Sequence, residues 1–260
     1  MQQRYYRAFA EYMATRGFVV LTYEYRDALA QDPYILRKSS ASLSVWGGQD
    51  QAAAARYLRE SYPGYALVLL GHSTGGQIVG HSPLAGTAAV LLVGAGIGYW
   101  RLYRNPYRRW RRAMSVYVLG PLALAAYGYM PGFAMSSGPR GAAYARELMR
   151  YVRSPHFFCD ENGAPLRPHH SELTCPIKQL MISDDEVSPP GTEMNLREFF
   201  PNALTQDEWL TPQRYGLAQL GHFGLFRRTM PRAAWQEIAD WFERAAESRA
   251  PETGSSSASV

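Results

Sequence analysis

Residues 67–79, Leu-Val-Leu-Leu-Gly-His-Ser-Thr-Gly-Gly-Gln-Ile-Val, constrain this chain more than any other stretch: an apolar run ends in G-x-S-x-G and continues into a helical pattern. A serine at the tip of such a strand-to-helix turn holds a strained backbone conformation. Flanking side chains would clash there, so the reading requires glycine at Gly71 and Gly75. The turn lifts the hydroxyl of Ser73 clear of the sheet and aims the next backbone N–H, on Thr74, at an oxygen that gains charge during attack. The helix that starts near Gly75 adds its positive end. The alternative is a glycine-rich loop that happens to contain a serine.

The rest of the chain fits one α/β domain. At 260 residues, 47% of them hydrophobic, it can bury a large core, and no linker divides it. A helix opens the chain, with Tyr6, Phe9, Ala10 and Met13 on one face and Gly17 as its stop. Residues 18–25 read as a buried strand, 26–44 as a loop and 49–59 as a helix. After the elbow, a helix runs to about His81 and a strand covers 87–93. Alternation stops over 98–174 and resumes with strands at 177–183 and 204–210 and helices at 193–200 and 233–246. Strands alternating with helices imply a mostly parallel sheet flanked by helices. The expected organisation is core over 1–97, a cap over 98–174, core again over 175–247, and a disordered tail over 248–260, where apolar periodicity ends.

The inserted segment carries two unusual stretches. Arg101, Arg104, Arg108, Arg109, Arg111 and Arg112 crowd beside Trp100, Tyr103, Tyr107 and Trp110, and account for much of the net charge of +5. Such a segment fits peripheral contact with an anionic membrane surface through residues 100–112, and no nucleic-acid partner is expected. Residues 113–139 contain no charged side chain and are long enough to span a bilayer. Gly120, Pro121, Gly128, Pro131 and Gly132 argue against one continuous helix there, so a folded-over lid is expected. A helix is expected over 142–153. The two cysteines, Cys159 and Cys175, are too few for a disulfide scaffold, and no leader opens the chain, so a cytoplasmic location is the default. His169, His170, Cys159 and Cys175 match no zinc spacing, and no metal or organic cofactor is expected. His72 and His81 are expected to pack beside the elbow helix.

A serine nucleophile needs a base and an orienting carboxylate, in the order serine, acid, histidine. Asp184-Asp185-Glu186 follows the strand ending at Ser183, and Gly221-His222-Phe223-Gly224 lies beyond the last strand. These segments, with Gly71-His72-Ser73-Thr74-Gly75-Gly76, resemble the three catalytic segments of the α/β-hydrolase superfamily. More narrowly the chain resembles bacterial predicted hydrolases of the serine aminopeptidase-like group, in which Gly98-Tyr99-Trp100-Arg101 opens the cap. The resemblance implies catalysis by Ser73, Asp185 and His222. Asp185 is favoured over Asp184 because the superfamily's acid stands four residues before a proline, here Pro189. Thr74 is the implied oxyanion donor.

Two departures from that pattern matter. The five legible strands correspond to the superfamily's fourth to eighth, and the first three are missing. In the superfamily the third strand lies between the fourth and fifth, and the loop after it gives the second oxyanion donor. Met1 falls about where the resembling proteins have a valine, so the expectation is a start upstream, with a valine codon read as an alternative start. Tyr25-Arg26-Asp27 replaces Tyr-Arg-Gly, and aspartate is expected to keep the turn. The leading expectation is a serine hydrolase of lipophilic ester-like acyl substrates. The alternatives are a serine aminopeptidase-type peptidase, with Glu147, Asp160, Glu161 or Glu172 as the amine-binding acid, and a silent fragment or interaction module.

Overall fold

Four strands form one all-parallel sheet in the computed structural model, which describes residues 2–135 and 138–248. β1 (Val68–His72), β2 (Ala89–Val93), β3 (Pro176–Ile182) and β4 (Leu204–Leu210) lie side by side in chain order. Leu70 stands opposite Leu91, and Leu180 opposite Glu208. All five residues of β2 are buried. Its run Ala-Val-Leu-Leu-Val is apolar at every position, as a strand covered on both faces must be.

The helices are α1 (Arg7–Thr15), α2 (Pro33–Lys38), α3 (Leu43–Val45), α4 (Ala52–Ser61), α5 (Thr74–Gln77), α6 (Pro106–Met114), α7 (Gly120–Tyr127), α8 (Ala142–Arg153), α9 (Leu196–Phe199) and α10 (Arg232–Glu247). The sheet sorts its side chains between two cores. Ala89, Leu91 and Val93 face Phe9 and Met13 of α1 and Trp235 and Phe242 of α10. Val90 and Leu92 face Trp46, Ile78, Phe158 and Phe199. Each large apolar side chain so buried contributes about 1.5–3 kcal/mol.

Several expectations change. Only four of the five legible strands enter the sheet: residues 18–25 carry no strand assignment and join no sheet among the described residues. The expected loop over 26–44 contains α2, started by the Asp32 carboxylate accepting from Tyr34 N–H at 2.8 Å and by Pro33 in the first turn. The next helix begins earlier than expected, running from Leu43 through a π-helical stretch, Trp46–Gln51, into α4. The helix expected over 193–200 shortens to α9. Asp27 has φ 55, the left-handed turn expected of it. The tail expected to be disordered lies, beyond Ser248, outside the described residues.

In the inserted segment, helical backbone runs unbroken from Pro106 to Tyr127, against the expectation that Gly120 and Pro121 would break it. The π-helical turn Ser115–Leu119 just before Pro121 resets the hydrogen-bond ladder, so the missing proline N–H falls in the first turn of α7. Gly128, at φ 74, closes the run. Among the described residues no helix is long and apolar enough to cross a membrane. Several bonds stitch the segment back to the core. Glu147 of α8 accepts from the N–H and hydroxyl of Ser44 at 2.9 and 2.7 Å. His169 N–H donates to Gly80 O at 3.1 Å, and the His170 ring stacks on Phe200 with centroids 5.2 Å apart.

Burial holds three histidines neutral. His72 and His170 are lowered to about 3 and His81 to about 4, in each case chiefly because the charged ring would lose its water. Their folded-state values lie below the ordinary 6.5, so their contribution to stability is complete above that pH and is lost as the pH falls toward 3–4. Thermal unfolding followed by circular dichroism should therefore show stability falling below pH 6, by up to about 1.4 kcal/mol per pH unit for each histidine. His170→Phe should flatten that slope by roughly a third; an unchanged slope would mean that His170 charges freely in the folded chain.

Candidate active site

β1 delivers Ser73 to the turn that the glycine pattern anticipates. Ser73 has φ 53 and ψ −123, a conformation that costs a non-glycine residue about 1–3 kcal/mol. Bonds on both sides hold it. Ser73 N–H donates to Val93 O at 2.8 Å, and the N–H groups of Gly76 and Gln77 donate to Ser73 O at 2.9 and 3.1 Å. α5 starts at Thr74 and continues as the 3-10 turn Ile78–His81, so the elbow helix is short. The glycines that permit the turn are Gly71 and Gly76. A Cβ on Gly71 would stand 2.5 Å from Gly76 Cα, and one on Gly76 would stand 2.7 Å from both Gly71 O and Ala95 Cβ. At Gly75 a Cβ would meet only the Tyr25 hydroxyl, at 3.3 Å. Gly76 was legible only as the second half of a Gly-Gly pair.

Three distant segments meet at Ser73. The Ser73 hydroxyl lies 2.9 Å from His222 Nε2, and His222 Nδ1 lies 2.6 Å from Asp185 Oδ2. Asp185 and His222 are buried, 2% and 6% exposed. A carboxylate accepts only, so Nδ1 carries the imidazole proton and Nε2 is left to accept from the serine. The other carboxylate oxygen of Asp185 accepts from Val187 N–H and Ser188 N–H at 2.7 and 2.8 Å, which fixes its plane. Asp184 does separate work. Its two oxygens accept from Leu220 N–H and Gly221 N–H, each at 2.9 Å, and so hold the loop that carries His222.

The sequence places His72 beside the elbow helix and Tyr6 on the apolar face of the first helix and says nothing of Tyr5, yet these residues brace the histidine loop. His72 Nε2 lies 2.9 Å from His222 O, and a carbonyl only accepts, so Nε2 is the protonated nitrogen. Nδ1 then accepts from the Tyr6 hydroxyl, 2.8 Å away. The Tyr5 hydroxyl donates to Phe223 O at 2.8 Å. Burial, followed by the nearby His222, keeps His72 neutral, which this bonding pattern requires. A tyrosine hydroxyl that bonds a segment distant in sequence leaves no periodic trace there.

Thr74 N–H, at the start of α5, enters no hydrogen bond among the described residues and is free to donate. The acids considered for an amine site are engaged elsewhere: Glu147 with Ser44, Asp160 with the N–H groups of Asn162 and Ala164, Glu172 with His169, and Glu161 beside Arg150. Among the described residues no group of three or more His, Cys, Asp or Glu is arranged to hold a metal ion.

No protein-family model and no curated protein sequence matches the chain. Among solved structures, a bromoperoxidase from Bacillus anthracis superposes with a TM-score of 0.52 at 14% identity, over 94% of this chain and 88% of that one. A thermophilic esterase from Thermogutta terrifontis gives 0.47 at 15% identity, over 95% and 87%. The RedJ thioesterase of Streptomyces coelicolor gives 0.47 at 13% identity, over 94% and 86%. A parallel sheet flanked by helices, with a serine at a strand-to-helix elbow, defines the class of protein. The superposition on the bromoperoxidase agrees with it, and the chain has the α/β-hydrolase fold.

The two adjacent glycines of the elbow should respond differently to substitution. Gly76→Ala and Gly71→Ala each force backbone apart and should cost about 2–4 kcal/mol in urea unfolding. Gly75→Ala displaces only a hydroxyl and should cost less than about 1 kcal/mol. Equal losses at Gly75 and Gly76 would contradict the close approach of β1 and α5.

Proposed function

We propose that the chain is a serine hydrolase that cleaves ester-like acyl bonds through an acyl-enzyme on Ser73. The observation that carries this reading is the connected series Ser73 hydroxyl, His222 Nε2, His222 Nδ1 and Asp185 Oδ2, at 2.9 and 2.6 Å. In it His222 removes the serine proton as the hydroxyl attacks the acyl carbon, and returns that proton to the leaving oxygen as the acyl-enzyme forms. Asp185 holds the tautomer and stabilises the imidazolium. Thr74 N–H donates to the oxygen that becomes negative, where one such donor is worth about 3 kcal/mol. Water, activated by the same histidine, then releases the acid and frees the serine.

Aromatic surroundings support a lipophilic acyl group. Tyr25 stacks on Trp46 at 4.9 Å, Trp46 packs on Tyr144 at 4.8 Å, and the Tyr25 hydroxyl approaches Gly75 of the elbow. The peptidase alternative lacks such support, since Glu147, Asp160 and Glu172 accept hydrogen bonds elsewhere and Glu161 is exposed beside Arg150. A lipophilic substrate also accords with peripheral binding to an anionic membrane through 100–112. Residues 98–146 contain arginines but no acidic residue, and Tyr107 and Trp110 are 64% and 60% exposed there.

A fluorophosphonate probe should label the chain and fail to label Ser73→Ala. Asp185→Asn should keep the site intact yet slow acylation by about a thousandfold or more; labelling that survives Ser73→Ala would sink the proposal. In liposome flotation the chain should rise with vesicles rich in phosphatidylserine and not with neutral ones. Arg109→Glu with Arg111→Glu should weaken that binding at least tenfold, given about 1 kcal/mol per basic residue near the surface. Equal flotation with both lipids would remove the electrostatic contact.

A further inference from the structure

α8 divides its residues between two faces. Tyr144, Ala145, Tyr151 and Val152 are buried in the core. Arg146, Met149, Arg150 and Arg153 recur at three- and four-residue spacing and line a cavity of about 890 Å³, to which α7 adds the apolar Pro121 and Leu124. The arginines are held in place but not neutralised. Arg153 Nη2 donates to Val116 O at 2.6 Å, and its guanidinium carbon lies 4.8 Å from the ring centre of Tyr117. That of Arg150 lies 5.4 Å from the ring centre of Tyr151. Nε of Arg150 and of Arg153 is buried and has no hydrogen-bond partner among the described residues, so each has lost its water without gaining an acceptor. Carboxylates nearby leave this charge open. Glu147 stands 3.8 Å from Arg150 but accepts from Ser44, and Glu161 stands 4.0 Å away with its side chain 92% exposed. Asp160, also on the cavity wall, accepts from the N–H groups of Asn162 and Ala164. Arg146 is exposed.

The same cavity borders an apolar edge that nothing covers among the described residues. Pro121 and Leu124 turn into it, whereas Leu122 between them is 62% exposed and Leu119, at the end of the π-helical turn, is 58% exposed. Tyr127 and Phe133 are exposed further along. Guanidinium forks match phosphate oxygens, and leucines facing outward beside cationic side chains match a bilayer surface. We propose that this cavity seats the phosphate of a membrane phosphomonoester lipid, with Leu119 and Leu122 entering the acyl layer beside it. A phosphomonoester offers all its free oxygens to the three guanidiniums, whereas a phosphodiester headgroup covers its phosphate. The inference deepens the membrane contact proposed for 100–112, from attraction by charge to recognition of one headgroup class, and does not depend on the hydrolase reading.

Flotation with phosphatidylcholine vesicles that carry either phosphatidic acid or phosphatidylserine, at matched surface charge, tests it. The chain should bind the phosphatidic acid vesicles roughly tenfold more tightly. Arg146→Gln with Arg150→Gln should remove that preference and leave binding to phosphatidylserine within about twofold, because 100–112 supplies it. Arg146→Gln alone, at an exposed position, should cut the preference about threefold and disturbs no buried group. Leu119→Ser with Leu122→Ser should weaken binding to both vesicles about tenfold. Equal binding to the two vesicles, or a preference that survives the paired arginine change, would overturn the proposal. So would calorimetric binding of glycerol 3-phosphate that the paired change abolishes, in a chain showing no vesicle preference, since the ligand would then be a soluble phosphate. Failure to float with either vesicle would remove the contact through 100–112 as well, whereas binding without preference would remove this inference alone.

Discussion

Everything at the site depends on the contact between β1 and α5. Gly71 and Gly76 let two backbone segments approach until a single added carbon would stand 2.5 Å from its neighbour. That approach sets the angle at which the strand becomes helix, and the angle leaves Ser73 at φ 53 with nowhere to relax. The cost of about 1–3 kcal/mol is met by ordinary means: three backbone hydrogen bonds around Ser73 and a buried β2 next to it. The strain has a purpose in geometry. The hydroxyl stands above the sheet instead of lying within it, where a histidine from a segment 149 residues later can reach it.

The histidine is fixed by more than its carboxylate. Asp185 orients the ring, but the loop that carries the ring is held by Asp184 through two N–H groups, by His72 through His222 O, and by Tyr5 through Phe223 O. Adjacent aspartates thus split two tasks, one acting on the ring and one on its backbone. His72 belongs to the same G-x-S-x-G segment as the nucleophile, so the elbow and the histidine loop are bonded directly and not only through Ser73. Neutrality of His72 is part of that bond, because a charged ring would have no acceptor for Tyr6 to donate to.

Much of this was legible in sequence because it follows from local chemistry. The elbow glycines, the acid after β3, the histidine between glycines and the helix over 142–153 all announce themselves in residue type and spacing. Choosing Asp185 over Asp184 needed the resemblance; Asp185 Oδ2 lies 2.6 Å from His222 Nδ1, whereas Asp184 bonds the backbone of the histidine loop. Features that depend on distant contacts were not legible. Tyr5 and Tyr6 look like any aromatic residues on an amphipathic helix, and the weight carried by Gly76 rather than Gly75 appears only once β1 and α5 are packed together. The helical run through Gly120 and Pro121 was missed because a π-helical turn is set by tertiary packing and leaves no signature in composition.

Residues 18–25 show why strand character and strand membership are different properties. Phe-Val-Val-Leu-Thr-Tyr-Glu-Tyr has the β-branched and aromatic content of a buried strand, and its backbone is extended. Yet Val19 and Val20 remain 42% and 40% exposed, and the segment bonds to no neighbour in the sheet. Propensity acts through side chains fitting a pleated, half-buried surface, whereas a strand is counted by hydrogen bonds to another chain segment. The side chains here still meet their helices: Phe18 packs against Phe242 of α10, and Tyr25 stacks on Trp46. The helices therefore hold the segment in line with the sheet although no ladder ties it there. The segment thus has the side-chain contacts of a strand without the backbone ladder of one.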